Sequence, residues 1–230
     1  MTTTSLTTEI GTSIPENLAR LIGADITFGR LAAWTRLTEE QVANTYNVSR
    51  SPVREAIRLL ERDGLIARSS RRGIWVAPLS LKDFDGVYAC RIALEALAAE
   101  QAARSPHAAS TRPAFDRLLT RLRTTLANGD TVGFFEADVE GSEIIYDLAD
   151  NPTLRRLLLS LEKQALRYRY FAYQHSAEVT ALSVNATRDI YARICEGDHA
   201  RARALTETLI KDIWQSTREV LADFFSEKMP

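Results

Sequence analysis

Asn47-Val48-Ser49-Arg50-Ser51-Pro52-Val53-Arg54-Glu55-Ala56-Ile57 is the stretch on which the reading of this 230-residue chain turns. Asn47-Val48 reads as a short turn and Ser49 as the N-cap of a helix running to about Asp63. Gly64 ends that helix, where a left-handed residue costs little. Pro52 falls in the first turn, where its missing N–H is tolerated. Val53, Ala56, Ile57 and Leu60 recur at helical spacing and form a core-facing stripe. Arg50 and Arg54, four residues apart, share the other face. A helix that enters a major groove N-terminus first presents this turn to bases and phosphates. Ser49 and Ser51 are short donors suited to phosphate oxygens. The open N–H groups of the helix start favour an anion, and an arginine fork reads guanine O6 and N7. Arg58 and Arg62, farther from the N-terminus, read as a solvated face.

The flanks agree with a DNA-reading element. Upstream, Thr38 caps a helix with Gln41 three residues on, where a capping-box partner belongs. Ile14 to Ile26 carries helical spacing, with Ser13 as its possible cap and Pro15 near its start. Downstream, 65–68 and 74–77 read as two short strands around the turn Ser69-Ser70-Arg71-Arg72-Gly73. Helices followed by a hairpin are the winged-helix layout. Arg71 and Arg72 stand at the wing tip, within reach of a minor groove, and Gly73 allows close backbone approach; an ordinary polar hairpin is the alternative. Arg36 precedes the second helix and is placed for a phosphate or for plain solvent. After Leu79 the strand signals stop. Helices are expected over 81–104, 109–128, 130–149, 152–174, 177–196 and 198–226, separated by Ser-Pro, Asn-Gly, Asn-Pro, His-Ser and Gly-Asp breaks. The expected fold is mostly α: a flexible tail over 1–13, a winged helix-turn-helix over 14–79, and an all-helical bundle over 80–230.

Composition sets the limits. With 45% hydrophobic and 26% charged residues the chain is of ordinary globular type. No apolar run is long enough for a membrane span, and no basic segment with an apolar follow-on marks a secretory signal, so the cytoplasm is the expected location. Cys90 and Cys195 stand alone and read as small buried core residues. The net charge of −1 conceals a small asymmetry: through Leu79 there are ten arginines, no lysine and eight acidic residues. Placement of those arginines matters more than their sum.

Leu37 to Val76 resembles the N-terminal domain of the GntR family of bacterial regulators. The resemblance rests on Leu37-Thr-Glu-Glu-Gln-Val-Ala43, Val48-Ser-Arg-Ser-Pro-Val-Arg-Glu-Ala56, Leu59-Leu-Glu-Arg-Asp-Gly-Leu-Ile66 and Gly73-Ile-Trp-Val76. It implies DNA contacts from Arg36, Arg50, Arg54 and Gly73, and a two-fold homodimer on a palindromic double-stranded operator. The C-terminal half resembles the FadR-like branch and its FCD effector domain, through Tyr88-Ala-Cys-Arg-Ile-Ala-Leu-Glu95, Asp138 followed by Asn151-Pro152, and Ile194-Cys-Glu-Gly-Asp198. Many members of that branch hold a divalent metal with one aspartate and three histidines. By resemblance Asp138 matches the aspartate, while the histidine positions fall at Ser142, near Thr187 and near Leu209. The histidines present, His107, His175 and His199, lie at expected turns.

A serine, a threonine and a leucine do not replace three imidazoles, so no metal is expected. Asp138 then needs another partner: an arginine, a hydroxyl or the ligand itself. The expectation is a cavity for a small organic effector, with Arg91, Asp138, Ser142, Arg169 and Thr187 as its candidate contacts. The alternative for Arg91 and Arg169 is ion pairing alone. No nucleophile–base pattern, phosphate loop or metallohydrolase motif marks an enzyme, and no catalytic residue is expected. The function that follows is a sequence-specific transcriptional regulator with repression as its expected mode. A winged helix used only for protein contact is the weaker alternative, because Arg50 and Arg54 suit nucleic acid.

Overall fold

The computed structural model describes residues 13–71 and 73–228, which divide into two compact units at Leu79/Ser80. The expected tail over 1–13 lies, apart from Ser13, outside the described residues, as does Arg72.

The first unit contains α1 (Ile14–Thr27), β1 (Arg36–Leu37), α2 (Glu39–Tyr46), α3 (Arg50–Arg62), β2 (Ile66–Ser69) and β3 (Gly73–Val76). Ser13 caps α1 through a reciprocal capping box with Glu16. Thr38 caps α2: its hydroxyl accepts the Gln41 N–H at 3.2 Å and donates to Gln41 Oε1 at 3.0 Å. Asn47 ends α2 in a left-handed conformation, φ 52°, which turns the chain sharply into α3. Val53, Ala56, Ile57 and Leu60 are all buried, together with Leu18, Ile22 and Val76, in one core. The sheet is antiparallel, in the order β1-β3-β2, with Arg36 opposite Trp75 and Arg68 opposite Ile74. β1 is an addition to the sequence reading, which placed only the hairpin. Beside it, Trp34 has a left-handed backbone, φ 68°, and stacks nearly parallel to Trp75 with ring centroids 6.4 Å apart.

The second unit is helical among its described residues: α4 (Leu81–Arg104), a 3₁₀ turn (Ala109–Thr111), α5 (Arg112–Ala127), α6 (Thr131–Leu148), α7 (Pro152–His175), α8 (Ala177–Cys195) and α9 (His199–Lys228). Asp130, Asn151 and Ser176 cap α6, α7 and α8 by accepting backbone N–H bonds. α4 is the central helix and packs most extensively on α9. Its buried Ala96, Ala98, Ala99, Ala102 and Ala103 allow that close approach. At its start, Phe84 and Tyr88 are fully buried, and the Tyr168 hydroxyl donates to the Ser80 carbonyl at 3.2 Å. On α9, Trp214 Nε1 donates to Asp85 at 2.8 Å. Cys195 is buried, but Cys90 is exposed, contrary to the expectation of a core residue. The inward stripe of α4 runs through Phe84, Val87, Tyr88 and Arg91, and Cys90 falls outside it. No helix among the described residues is long and apolar enough to cross a membrane.

Candidate functional site

Two sites were expected, one in each unit. In the first, Arg50 and Arg54 project from the opening turns of α3, each with about 60% of its side chain exposed. Both reach back over the acidic start of α2. Arg54 Nε bonds Glu39 Oε2 at 2.7 Å, and Arg50 Nη2 lies 3.6 Å from Glu40 Oε2. The sequence reading missed these pairings, although Glu39 and Glu40 open the helix that a helix-turn-helix sets across the start of α3. Exposed pairs of this kind hold a side chain in place but stabilise weakly, by about 1 kcal/mol or less.

Ser49 occupies the N-cap of α3 yet makes no side-chain cap bond, a correction to the expected capping role. The cause is local: Pro52 is the third helical residue and has no N–H to offer. The Ser49 hydroxyl, exposed like that of Ser51, is thereby left uncommitted to the helix. Arg58 pairs with Glu55 at 2.6 Å in solvent, and the exposed Arg62 pairs at 3.3 Å with Asp63, which is itself buried at the C-cap of the helix.

Arg36 is exposed on edge strand β1. Gly73 begins β3 with φ 76°, and a Cβ built there would lie 3.7 Å from Arg36 Nε and Nη2. The Arg36 guanidinium therefore rests beside the wing glycine. Arg71 is exposed in the adjoining turn.

In the second unit, all five candidate effector residues line one cavity of about 60 Å³. α4 supplies Arg91, α6 Asp138 and Ser142, α7 Arg169 and α8 Thr187; Leu209 of α9 lines the same space. Arg91 and Arg169 are each 4% exposed. Asp138 has partners of two of the kinds expected: Arg169 Nη2 pairs with its Oδ2, and the Tyr173 hydroxyl donates to the same oxygen at 2.7 Å. Arg169 also reaches Ser142 Oγ at 3.3 Å and Glu162 at 3.2 Å. Burial works against the charge on Arg169, but Asp138, Tyr173, Glu162 and Glu95 outweigh it and hold the guanidinium more firmly protonated than usual. Burial raises Glu162 to about 7, with Arg169 pulling the other way.

Arg91 differs from Arg169. Its Nε bonds Glu95 at 2.6 Å and its guanidinium lies 4.7 Å from the Tyr88 ring centroid, but Nη1 is buried without a hydrogen-bond partner. Such an orphan donor costs about 1–3 kcal/mol, which a ligand acceptor would relieve. Apolar side chains also line the cavity, Ile145, Ile190 and Ile213 among them. Tyr191 reaches it because α6 carries Gly141 at the crossing: a Cβ there would fall 1.9 Å from the Tyr191 hydroxyl.

Glu95, Glu162, Tyr173 and Ser183 were not foreseen. Glu95 stands four residues after Arg91, and Tyr173 four after Arg169, so helical spacing carried that much of the signal. Among the described residues no cluster of three or more His, Cys, Asp or Glu side chains is arranged to hold a metal ion. His107 lies in the turn after α4. His175 ends α7 stacked on Phe171, and His199 opens α9 beside Arg104.

Comparison with known proteins covers both units. The profile of the bacterial regulatory proteins of the gntR family matches residues 15–76, and that of the FCD domain matches residues 86–212. The HTH-type transcriptional repressor RspR of Escherichia coli K12 is 28% identical over 219 residues, 94% of this chain and 95% of that protein. The HTH-type transcriptional regulator BphR of Paraburkholderia xenovorans LB400 is 33% identical over 171 residues, 71% of this chain and 69% of that one. Among solved structures, E. coli McbR/YncC shares the fold with a TM-score of 0.76 at 18% identity, over 93% of this chain and 99% of that one. These families and relatives are regulators of transcription, not enzymes. The chain belongs to the gntR family of bacterial transcriptional regulators, in the branch that joins the helix-turn-helix to an FCD domain.

Proposed function

We propose that this regulator binds a palindromic operator as a homodimer, through 14–79, and that a small organic effector in the cavity of 80–230 alters that binding. The observation that carries the reading is the opening of α3, where two exposed arginines, two exposed serines and a free helix start converge on one surface. Arg50 and Arg54 read base edges, Ser49 and Ser51 hold phosphates, and Arg36, Gly73 and Arg72 follow the backbone and the minor groove beside the wing. Repression is the mode supported by RspR and by the gluconate operon transcriptional repressor of Bacillus licheniformis, 34% identical over 77 residues. The protein acts in the cytoplasm, where the operator is.

In the cavity, Arg91 offers its unpartnered nitrogen, Thr187 and Ser142 offer hydroxyls, and the Arg169–Asp138 pair forms the polar wall. Its present volume admits a small polar group, so a larger effector moves the apolar wall as it enters. Effector control requires a difference in affinity between the DNA-bound and free forms.

The test is a selection of genomic fragments by the purified protein, run beside the double variant Arg50→Ala, Arg54→Ala. Enrichment of a palindrome by the native protein alone supports the reading, and the neighbouring genes name the metabolites to titrate. Equal enrichment by the variant, or none at low salt, overturns it.

A further inference from the structure

We propose that the guanidinium of Arg169 is the resident cation of the helical unit, occupying by charge the place that a divalent metal holds in FCD domains with an aspartate and three histidines. This goes beyond the absence of histidines, because it assigns the replacement to a residue. The argument starts at Asp138. A carboxylate in this cavity, with 11% of its side chain exposed, needs a positive partner. Arg169, two helical turns beyond Glu162 on α7, meets Asp138 with Nη2 and Glu162 with Nη1, so one guanidinium bridges acidic side chains of two helices and supplies the charge that balances Asp138. The same Nη2 reaches Ser142 Oγ at 3.3 Å. Two of the four positions of the metal set, Asp138 and Ser142, are thus already gathered on one arginine nitrogen.

The donor set is closed to a metal for further reasons. Asp138 Oδ2 already accepts the Tyr173 hydroxyl at 2.7 Å as well as the guanidinium. The Ser142 hydroxyl donates to the Asp138 carbonyl at 3.2 Å, one helical turn back, and Leu209 presents hydrocarbon. One carboxylate and two neutral hydroxyls are a poor site for zinc, nickel or manganese. A dication would also stand against a buried guanidinium that the surrounding anions keep charged. Because arginine does not lose its proton, this cation is set when the chain folds and answers to neither chelator nor pH.

The experiment reads stability, not DNA or effector binding, so the reading under Proposed function can fail while this one stands, and the reverse. Native protein dialysed against EDTA is titrated with Zn²⁺, Ni²⁺ and Mn²⁺ by calorimetry and by thermal melting. The expected result is no binding heat and no change in Tm. Two variants are then compared: Ser142→His, Thr187→His, Leu209→His with Arg169 kept, and the same three changes with Arg169→Met. Only the second gains a Zn²⁺-dependent rise in Tm, of about 5 °C or more at a hundredfold excess over Kd. Equal zinc binding by both variants, or a metal-induced rise in the native Tm, overturns the proposal. Should the fourfold variant not fold, the charge itself is tested. Arg169→Met lowers Tm, and adding Asp138→Asn recovers part of the loss; no recovery overturns the assignment.

Discussion

Arg54 meets Glu39 and Arg50 approaches Glu40 before any DNA is present, so the acidic start of α2 acts as a rest for the two reading arginines. Such exposed contacts are cheap to exchange for a base edge. They also withhold the arginines from indiscriminate phosphate contact. Glu39→Gln should therefore leave Tm nearly unchanged, raise affinity for unrelated DNA several-fold and lower the ratio of operator to non-specific binding; paired gel-shift titrations measure that ratio. In the other unit, Glu162 titrates near 7 when folded, mainly because burial disfavours its charged form. An acid raised in the folded state holds extra protons there. Its stabilising contribution is complete below the unfolded value near 4.5 and is lost as pH rises through about 7. Glu162→Gln removes that dependence, so the Tm of the variant minus that of the native protein should grow between pH 5 and pH 8. Melting curves at fixed ionic strength decide it, and a flat difference rejects it. Beyond Arg91, Asp138, Ser142, Arg169 and Thr187, helical spacing pointed as far as Glu95 and Tyr173, but the meeting of Arg169 with Asp138 was not legible, because they stand on α7 and α6 and only the fold sets those helices side by side.

Helices were more legible than strands. The bounds of α4, α6, α7 and α8 fall within a residue or so of the punctuation that announced them, because Asn151-Pro152 or Gly197-Asp198 acts locally. β1 was not visible, since two residues carry no periodicity and its partner lies almost forty residues away. Cys90 was misplaced for another reason: residue type was read without assigning the helix face. The crossing of α6 and α8 shows how one residue positions an element. Gly141 makes room for the Tyr191 hydroxyl, and Tyr191 is pinned by stacking on Phe115 at 3.9 Å. Gly141→Ala, favourable for an isolated helix, should instead destabilise by about 1–3 kcal/mol through overpacking. Denaturant unfolding measures this, and a stabilised variant would show that Tyr191 is free to move.

At the scale of the whole molecule, the division of labour among the arginines sets how binding answers to salt. Affinity for DNA falls with salt by a logarithmic slope of about 0.9 per phosphate neutralised. If Arg36 holds a phosphate in each half of a dimer, Arg36→Ala should weaken all DNA alike and reduce the slope by nearly 2. Arg50→Ala, Arg54→Ala should leave the slope close to the native value and abolish preference for the operator. Titrations at several salt concentrations separate the two. The distribution of indole rings gives the same two units an optical signature. Trp34 and Trp75 stack on each other in the winged unit, whereas Trp214 stands on α9, bonded to Asp85. Since the chain has three tryptophans in all, Trp214→Phe leaves emission from the DNA-reading unit alone, and Trp34→Phe, Trp75→Phe leaves emission from the helical unit alone. The molecule thus carries one intrinsic fluorophore set for each half, with no label attached.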